Sequence, residues 1–271
     1  PLLGIQRFER RGLAEVIYGF LAPLFLIGFM LAGAKTHLSL ILTLSLSLAV
    51  ASLYSLWSLR GYIKPLCDPA VLKPIFQYAV IAAINLLSAA CVMAPARLIL
   101  HRYGSAWEIG IFSAYFTSTS QICLALLYMV TAVVVPLASS PEGQKETWTA
   151  FKRISIPLWL GSWIAFILTA MVSLSLFGRQ YPYHWEWAIL FAGASGLMLV
   201  HGIASSLYAA RDFSGLCISV AGSLIAGFCN IGLCLALIPK WGITGSAISL
   251  LGAHLLGLAF YALCARDVRA S

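Results

Sequence analysis

Five polar side chains lie near the middle of long apolar stretches, where a polar group is costly. They are Asn85, Gln121, His201, Asn230 and His254. Each can form a hydrogen bond between membrane helices, worth about 0.6–2 kcal/mol, or contact a substrate in a cavity. The histidines could also carry a coupling proton, because imidazole titrates near neutral pH. For each residue taken alone, the interhelical hydrogen bond is the favoured interpretation.

A second polar group occurs between Pro95 and Pro136. Arg97 lies about one turn from the end of a long apolar span, and it could reach the membrane surface or hold an anion in a cavity. Further along, five consecutive hydrogen-bonding side chains form the run Thr117-Ser118-Thr119-Ser120-Gln121. Such runs often bond to their own helix, but the density of this one favours the wall of a hydrophilic cavity.

Patterns of known catalytic chemistry are missing from the sequence. No Asp or Glu lies in the middle of an apolar stretch, and no HExxH, P-loop, G-x-S-x-G or CxxC motif occurs. We therefore expect no enzyme activity, no metal and no cofactor. The basic residues occur singly between apolar blocks, so a nucleic-acid partner is not expected either.

The elements that hold these residues are predicted to be membrane helices. Of the 271 residues, 61% are hydrophobic and only 10% are charged, whereas soluble domains carry roughly 25% charged residues. The apolar residues form blocks of about twenty, long enough to cross a bilayer. The sequence predicts an all-α polytopic bundle of eight membrane helices: 13–33, 38–58, 74–100, 107–136, 154–178, 187–210, 215–238 and 243–263. The longest soluble loop is predicted at 139–153.

The distribution of basic residues predicts the orientation of this bundle. Twelve of the seventeen Lys and Arg residues fall on one side: Arg7, Arg10, Arg11, Arg60, Lys64, Lys73, Lys145, Lys152, Arg153, Arg211, Arg266 and Arg269. Basic residues concentrate on the cytoplasmic side of membrane proteins. Both termini are therefore expected to be cytoplasmic.

Several short motifs, in their order and spacing, resemble those of one transporter family. They are Ala96-Arg97-Leu98-Ile99-Leu100, Gly104, Ile109-Gly110-Ile111-Phe112-Ser113-Ala114, Val135-Pro136-Leu137-Ala138-Ser139, Leu176-Phe177-Gly178-Arg179-Gln180-Tyr181, and Ile238-Pro239-Lys240-Trp241-Gly242-Ile243-Thr244-Gly245-Ser246-Ala247. Across residues 72–265 the chain resembles the Wzx-type flippases of lipid-linked oligosaccharides, in the multidrug/oligosaccharidyl-lipid/polysaccharide exporter superfamily. Many relatives have Asp where this chain has Ala96.

The resemblance implies a twelve-helix transporter of two lobes, of which this chain has the last eight helices. Residues 1–60 would end an N-terminal lobe whose first four helices are absent. Residues 61–73 would be a cytoplasmic connector, 74–265 the six-helix C-terminal lobe and 266–271 a cytoplasmic tail. The expected location is the bacterial inner membrane.

The implied function is the transfer of an undecaprenyl-pyrophosphate-linked oligosaccharide from the cytoplasmic to the periplasmic leaflet by alternating access. The expected partners are this lipid-linked oligosaccharide and membrane lipids, and coupling to protons or sodium is left open. Substrate contacts are predicted at Arg97, Asn85, Thr117, Ser120, Gln121 and His201, and coupling or interhelical roles at His254 and Asn230. Two alternatives stay open: a cation-coupled multidrug antiporter of the same superfamily, and a truncated protein that transports nothing.

Overall fold

The computed structural model describes residues 8–33, 37–60 and 69–267, which are helical with short turns and contain no strand. Its helices are α1 (Phe8–Leu31), α2 (His37–Leu59), α3 (Pro69–Met93), α4 (Pro95–Tyr103), α5 (Ala106–Phe116), a π-helical segment (Thr117–Gln121), α6 (Ile122–Ala138), α7 (Pro141–Phe177), α8 (Trp185–Ala209) and α9 (Phe213–Asp267). The all-α prediction is confirmed for these residues. Most of the predicted connector, at 61–68, and the tail residues 268–271 lie outside them.

Six helices in the described ranges are long and apolar enough to cross a membrane. They are Ile41–Ser58, Ile75–Tyr103, Ala106–Ala138, Gly143–Phe177, Trp185–Ala209 and Phe213–Ala265, and a shorter apolar helix covers Val16–Leu31. The composition therefore correctly predicts a helical protein with several segments that are long and apolar enough to cross a membrane. The count of eight spans stays a prediction, because the seventh and eighth predicted spans both fall within α9.

Helix α9 consists of two arms that fold back on each other. Gly242 separates them, with φ 52° and ψ −126°, a conformation that glycine adopts without a steric penalty. The Tyr261 hydroxyl donates to the Ser219 carbonyl oxygen at 2.7 Å, and a Cβ added to Gly245 would lie 2.6 Å from the Leu237 carbonyl oxygen. These contacts pair positions on opposite sides of the turn. The arms are therefore antiparallel.

The chain divides into two compact units, Pro1–Leu72 and Lys73–Ser271. In the first unit α1 packs on α2. In the second unit α8 is the central helix and contacts α5, α6, α7, α9 and the π-helical segment. In the apolar 18-residue stretch that identifies the Trp185–Ala209 span, 78% of the residues are buried, against 11–33% in the corresponding stretches of the other candidate spans. Protein rather than lipid therefore surrounds α8.

Small residues allow α8 to occupy this central position. A Cβ added to Gly193 would lie 3.3 Å from the Trp163 ring, and one added to Gly196 would lie 2.9 Å from the Ser162 hydroxyl. The Trp163 indole also donates to the Ile189 carbonyl oxygen at 2.9 Å. Close backbone approach at small residues is a usual way for membrane helices to associate.

The soluble loop predicted at 139–153 is wrong for most of its length, because α7 already begins at Pro141. The Ser140 hydroxyl accepts from the Gly143 amide at 3.2 Å and caps the helix, and proline suits its first position. The Trp148 ring then packs edge-on against the Tyr208 ring, with centroids 5.0 Å apart. This tertiary contact and the cap together stabilise the helix over residues 141–153. The polar composition of these residues gives no sign of a helix in the sequence.

Candidate functional site

Two buried histidines meet in the centre of the second unit. The rings of His201 on α8 and His254 on the second arm of α9 have centroids 5.2 Å apart, and both side chains are buried. His201 Nε2 and both ring nitrogens of His254 have no hydrogen-bond partner among the described residues. Gly257 makes room for this pair, since a Cβ there would lie 2.6 Å from His201 Nε2. The sequence predicts both histidines but not their contact.

Hydroxyl groups and tyrosine rings surround the histidine pair on one side. The Tyr261 ring stacks on His201 with centroids 5.2 Å apart, and the Tyr208 hydroxyl donates to the Tyr261 carbonyl oxygen at 2.9 Å. The Ser205 and Ser219 hydroxyls lie 2.7 Å apart. Sequence reasoning missed Tyr261, Ser205 and Ser219, because serine and tyrosine are common in membrane helices and only the α9 hairpin brings them to α8.

This arrangement can bind a proton or a small polar molecule inside the bundle. A neutral imidazole has one donor and one acceptor nitrogen, so an unpaired ring can accept a proton or hydrogen-bond to water. Buried polar groups without partners are costly, and titratable residues inside membrane bundles often mark ion or substrate pathways. The His201–His254 pair is therefore the candidate functional site of the bundle interior.

The run from Thr117 to Gln121 does not face one cavity. It adopts a π-helical turn, which directs its side chains to different sides. The Ser118 and Thr119 hydroxyls donate to carbonyl oxygens of their own helix, and the buried Ser120 hydroxyl lies 2.9 Å from that of Ser195 on α8. Thr117 and Gln121 are exposed. Of the three substrate contacts predicted in this run, Ser120 is therefore buried against α8, whereas Thr117 and Gln121 are on the surface.

The two asparagines have different environments. Asn230 is buried on α9, and its amide donates to the carbonyl oxygens of Val92 at 2.9 Å and Cys91 at 3.4 Å. These carbonyls lie at the end of α3, just before the proline that begins α4. Asn230 therefore links two helices, one of the two roles predicted for it. Asn85 is half-buried, and its carbonyl oxygen accepts from Ser88 on the same helix at 2.6 Å.

Arg97 lies on α4, and its side chain is exposed. Its guanidinium carbon is 5.5 Å from the centre of the Phe116 ring. At 1.5 Å per residue, Phe116 lies about 16 Å along its helix from Ser105, whereas Arg97 lies about 12 Å from Ser105 along its own helix. The side chain therefore points away from the polar turn.

Glu108 belongs to the local structure of the same turn. The Glu108 amide donates to the Ser105 hydroxyl at 3.2 Å, and the Ser105 amide donates to the Glu108 carboxylate at 2.7 Å. These two bonds form a capping box that starts α5. The Glu108 carboxylate therefore serves as a helix cap.

Comparison of the chain with protein-family models, with curated proteins and with solved structures finds no match. The family resemblance therefore stays a prediction that rests on the sequence motifs.

Proposed function

We propose that this chain is part of a transporter that moves an undecaprenyl-pyrophosphate-linked oligosaccharide from the cytoplasmic to the periplasmic leaflet of a bacterial inner membrane. The substrate class comes from the family resemblance, and the observation that best supports it is the exposed Arg97 side chain, whose guanidinium lies over the Phe116 ring. An exposed guanidinium at this depth needs water or an anion beside it, because hydrocarbon leaves its donors unpaired.

A polar strip on the surface of the second unit supports a hydrophilic path. Arg97 lies over the Phe116 ring, and Thr117 is the next residue in the chain. Gln121 lies about one turn further along the helix. Both side chains are exposed, as is Arg97. Hydroxyl and amide groups are suitable partners for sugar hydroxyls, and a guanidinium matches phosphate oxygens. In this proposal the strip lines the route of the oligosaccharide head while the lipid tail stays in the membrane.

The histidine pair supplies the coupling element of the proposal. A transporter that opens alternately to the two sides needs a free-energy source that favours one direction. The described spans carry the unpaired imidazole nitrogens of His201 and His254 in the bundle interior. Proton binding at this pair would change the packing between α8 and α9, because both rings lie at that contact. Coupling to protons is therefore favoured over coupling to sodium.

The role of Arg97 can be tested by replacing it with alanine in the full-length protein. A charge-assisted hydrogen bond to phosphate is worth about 1.5–3 kcal/mol, so substrate transfer should fall roughly 10- to 150-fold. The measurement is surface polysaccharide in a strain that lacks its own copy of the gene. Arg102→Ala is the matched control, since the Arg102 guanidinium lies 5.9 Å from the Tyr103 ring at the end of the same helix.

Equal polysaccharide levels in the two variants, at equal membrane abundance, would remove Arg97 from the substrate path. Drug susceptibility measured in the same strains separates the antiporter alternative. Increased drug susceptibility in the Arg97→Ala strain, with polysaccharide unchanged, would favour a drug substrate over a lipid-linked oligosaccharide.

A further inference from the structure

A cavity of about 750 Å³ opens at the end of the bundle where α7 begins and α8 ends. Four cationic side chains line it: Lys145, Lys152, Arg153 and Arg211. The described residues that line it include no carboxylate. Four positive charges around one cavity repel each other, and an anion in the cavity would relieve this repulsion.

A buried amide in the cavity wall also lacks a partner. Gln144 lines the cavity, and its Nε2 has no hydrogen-bond acceptor among the described residues. An unsatisfied buried donor costs about 1–3 kcal/mol. A bound ligand with several acceptor oxygens would pair with the cationic side chains of the cavity.

An apolar groove of about 280 Å³ continues from the cationic cavity. Trp148, Lys152 and Ala265 line both spaces. Beyond them the groove is lined mainly by hydrophobic side chains of α7, α8 and α9, which include Phe151, Ile156, Trp159, Val200 and Leu258. A hydrated inorganic anion gains nothing from such a surface, but a hydrocarbon chain does.

The charge pattern of α7 places the two spaces at different depths. Arg153 is its last charged residue, and the 24 residues of 154–177 contain none. That apolar part is about 36 Å long at 1.5 Å per residue, enough to cross the hydrocarbon core. The residues before Arg153 then lie at the level of the lipid headgroups. The cationic cavity is at headgroup depth, and the groove descends beside the acyl chains.

We propose that the cavity and groove together bind one lipid with an anionic phosphate headgroup. The phosphate lies among Lys145, Arg153 and Arg211, whose donors match its oxygens, and one hydrocarbon chain of the lipid fills the groove. This site lies apart from Arg97, and its groove ends at Tyr261, whose ring stacks on His201. It does not rest on the proposed function, since membrane lipids supply the same chemistry.

The test measures lipid binding to the full-length protein purified in a neutral detergent, by native mass spectrometry. The probes are phosphatidylglycerol, phosphatidylcholine with the same acyl chains, and inorganic phosphate. We expect phosphatidylglycerol to bind several-fold more tightly than phosphatidylcholine, because the choline cation faces the cationic wall. Inorganic phosphate at equal concentration should neither bind measurably nor displace phosphatidylglycerol.

Two variants separate the headgroup from the chain. The double variant Lys145→Gln/Arg211→Gln should lose roughly 30-fold in phosphatidylglycerol affinity, at roughly five-fold per charge. The control Arg102→Gln/Arg179→Gln removes the same charge from exposed positions outside the cavity and should bind normally. Ala262→Leu fills the groove and should weaken binding of both lipids.

Three results would overturn the proposal. They are equal affinity for the two lipids, equal binding by the two double variants, and displacement of phosphatidylglycerol by inorganic phosphate with Ala262→Leu unaffected. The last result would indicate a site for a free anion. Because all measurements are of binding, loss of transport would leave these outcomes unchanged.

Discussion

Replacing Gly222 with alanine tests how the two arms of α9 pack. A Cβ at Gly222 would lie 2.7 Å from the Tyr261 hydroxyl oxygen and would overlap the ring itself. The ring cannot move away freely. Its hydroxyl donates to the Ser219 carbonyl oxygen at 2.7 Å, and its faces pack against His201 and Tyr208, with centroids 5.2 and 5.3 Å away.

The expected cost follows from this overlap. The ring must shift by roughly 1 Å to restore ordinary contact distances, and overpacking of this kind costs about 1–3 kcal/mol. Alanine also has a higher helix propensity than glycine, by about 1 kcal/mol. Gly232→Ala in the same arm shares this gain, but its Cβ would meet nothing within 4 Å. Gly222→Ala should therefore be about 1–3 kcal/mol less stable than Gly232→Ala.

Equilibrium unfolding in mixed detergent micelles measures this difference in the free energy of unfolding. A second comparison uses Tyr261→Leu in both backgrounds. If the ring is the obstacle, this substitution should cost less in the Gly222→Ala protein than in the wild type, because it removes the overlap. Equal stability of the two alanine variants would refute the antiparallel packing of the arms at Gly222.

The remaining predictions concern hydrogen bonds between helices, measured in the same unfolding assay. Asn230→Leu should cost about 0.6–2 kcal/mol because the Val92 carbonyl loses its donor, whereas the half-buried Asn85→Leu should change stability by less than about 0.5 kcal/mol. A double-mutant cycle of Ser120→Ala and Ser195→Ala should give a coupling of about 0.6 kcal/mol. The control is a cycle of Ser118→Ala and Ser195→Ala, since the Ser118 hydroxyl bonds to its own helix. Equal coupling in the two cycles would contradict the hydrogen bond between Ser120 and Ser195.

The contact of Arg97 with Phe116 also shows what local sequence leaves undecided. The sequence places an arginine one turn from the end of an apolar helix, where it can reach either the surface or the interior. Its direction depends on Phe116, which comes close only because α4 and α5 fold back on each other at Ser105. The same holds for Ser120, whose partner Ser195 is 75 positions away in the chain.

Composition and apolar block length by themselves determined that the protein is helical, with segments long and apolar enough to cross a membrane, because a bilayer requires such segments with internally bonded backbones. Residue type and depth also selected both histidines and Asn230, since polar groups are rare at those positions. Only the tertiary structure decided which of these groups meet. The hairpin at Gly242 brings His254 and Tyr261 to His201, and the helical start of α7 builds the cationic cavity from residues that read as a soluble loop. Such contacts depend on how whole helices pack, a property that no local stretch of sequence specifies.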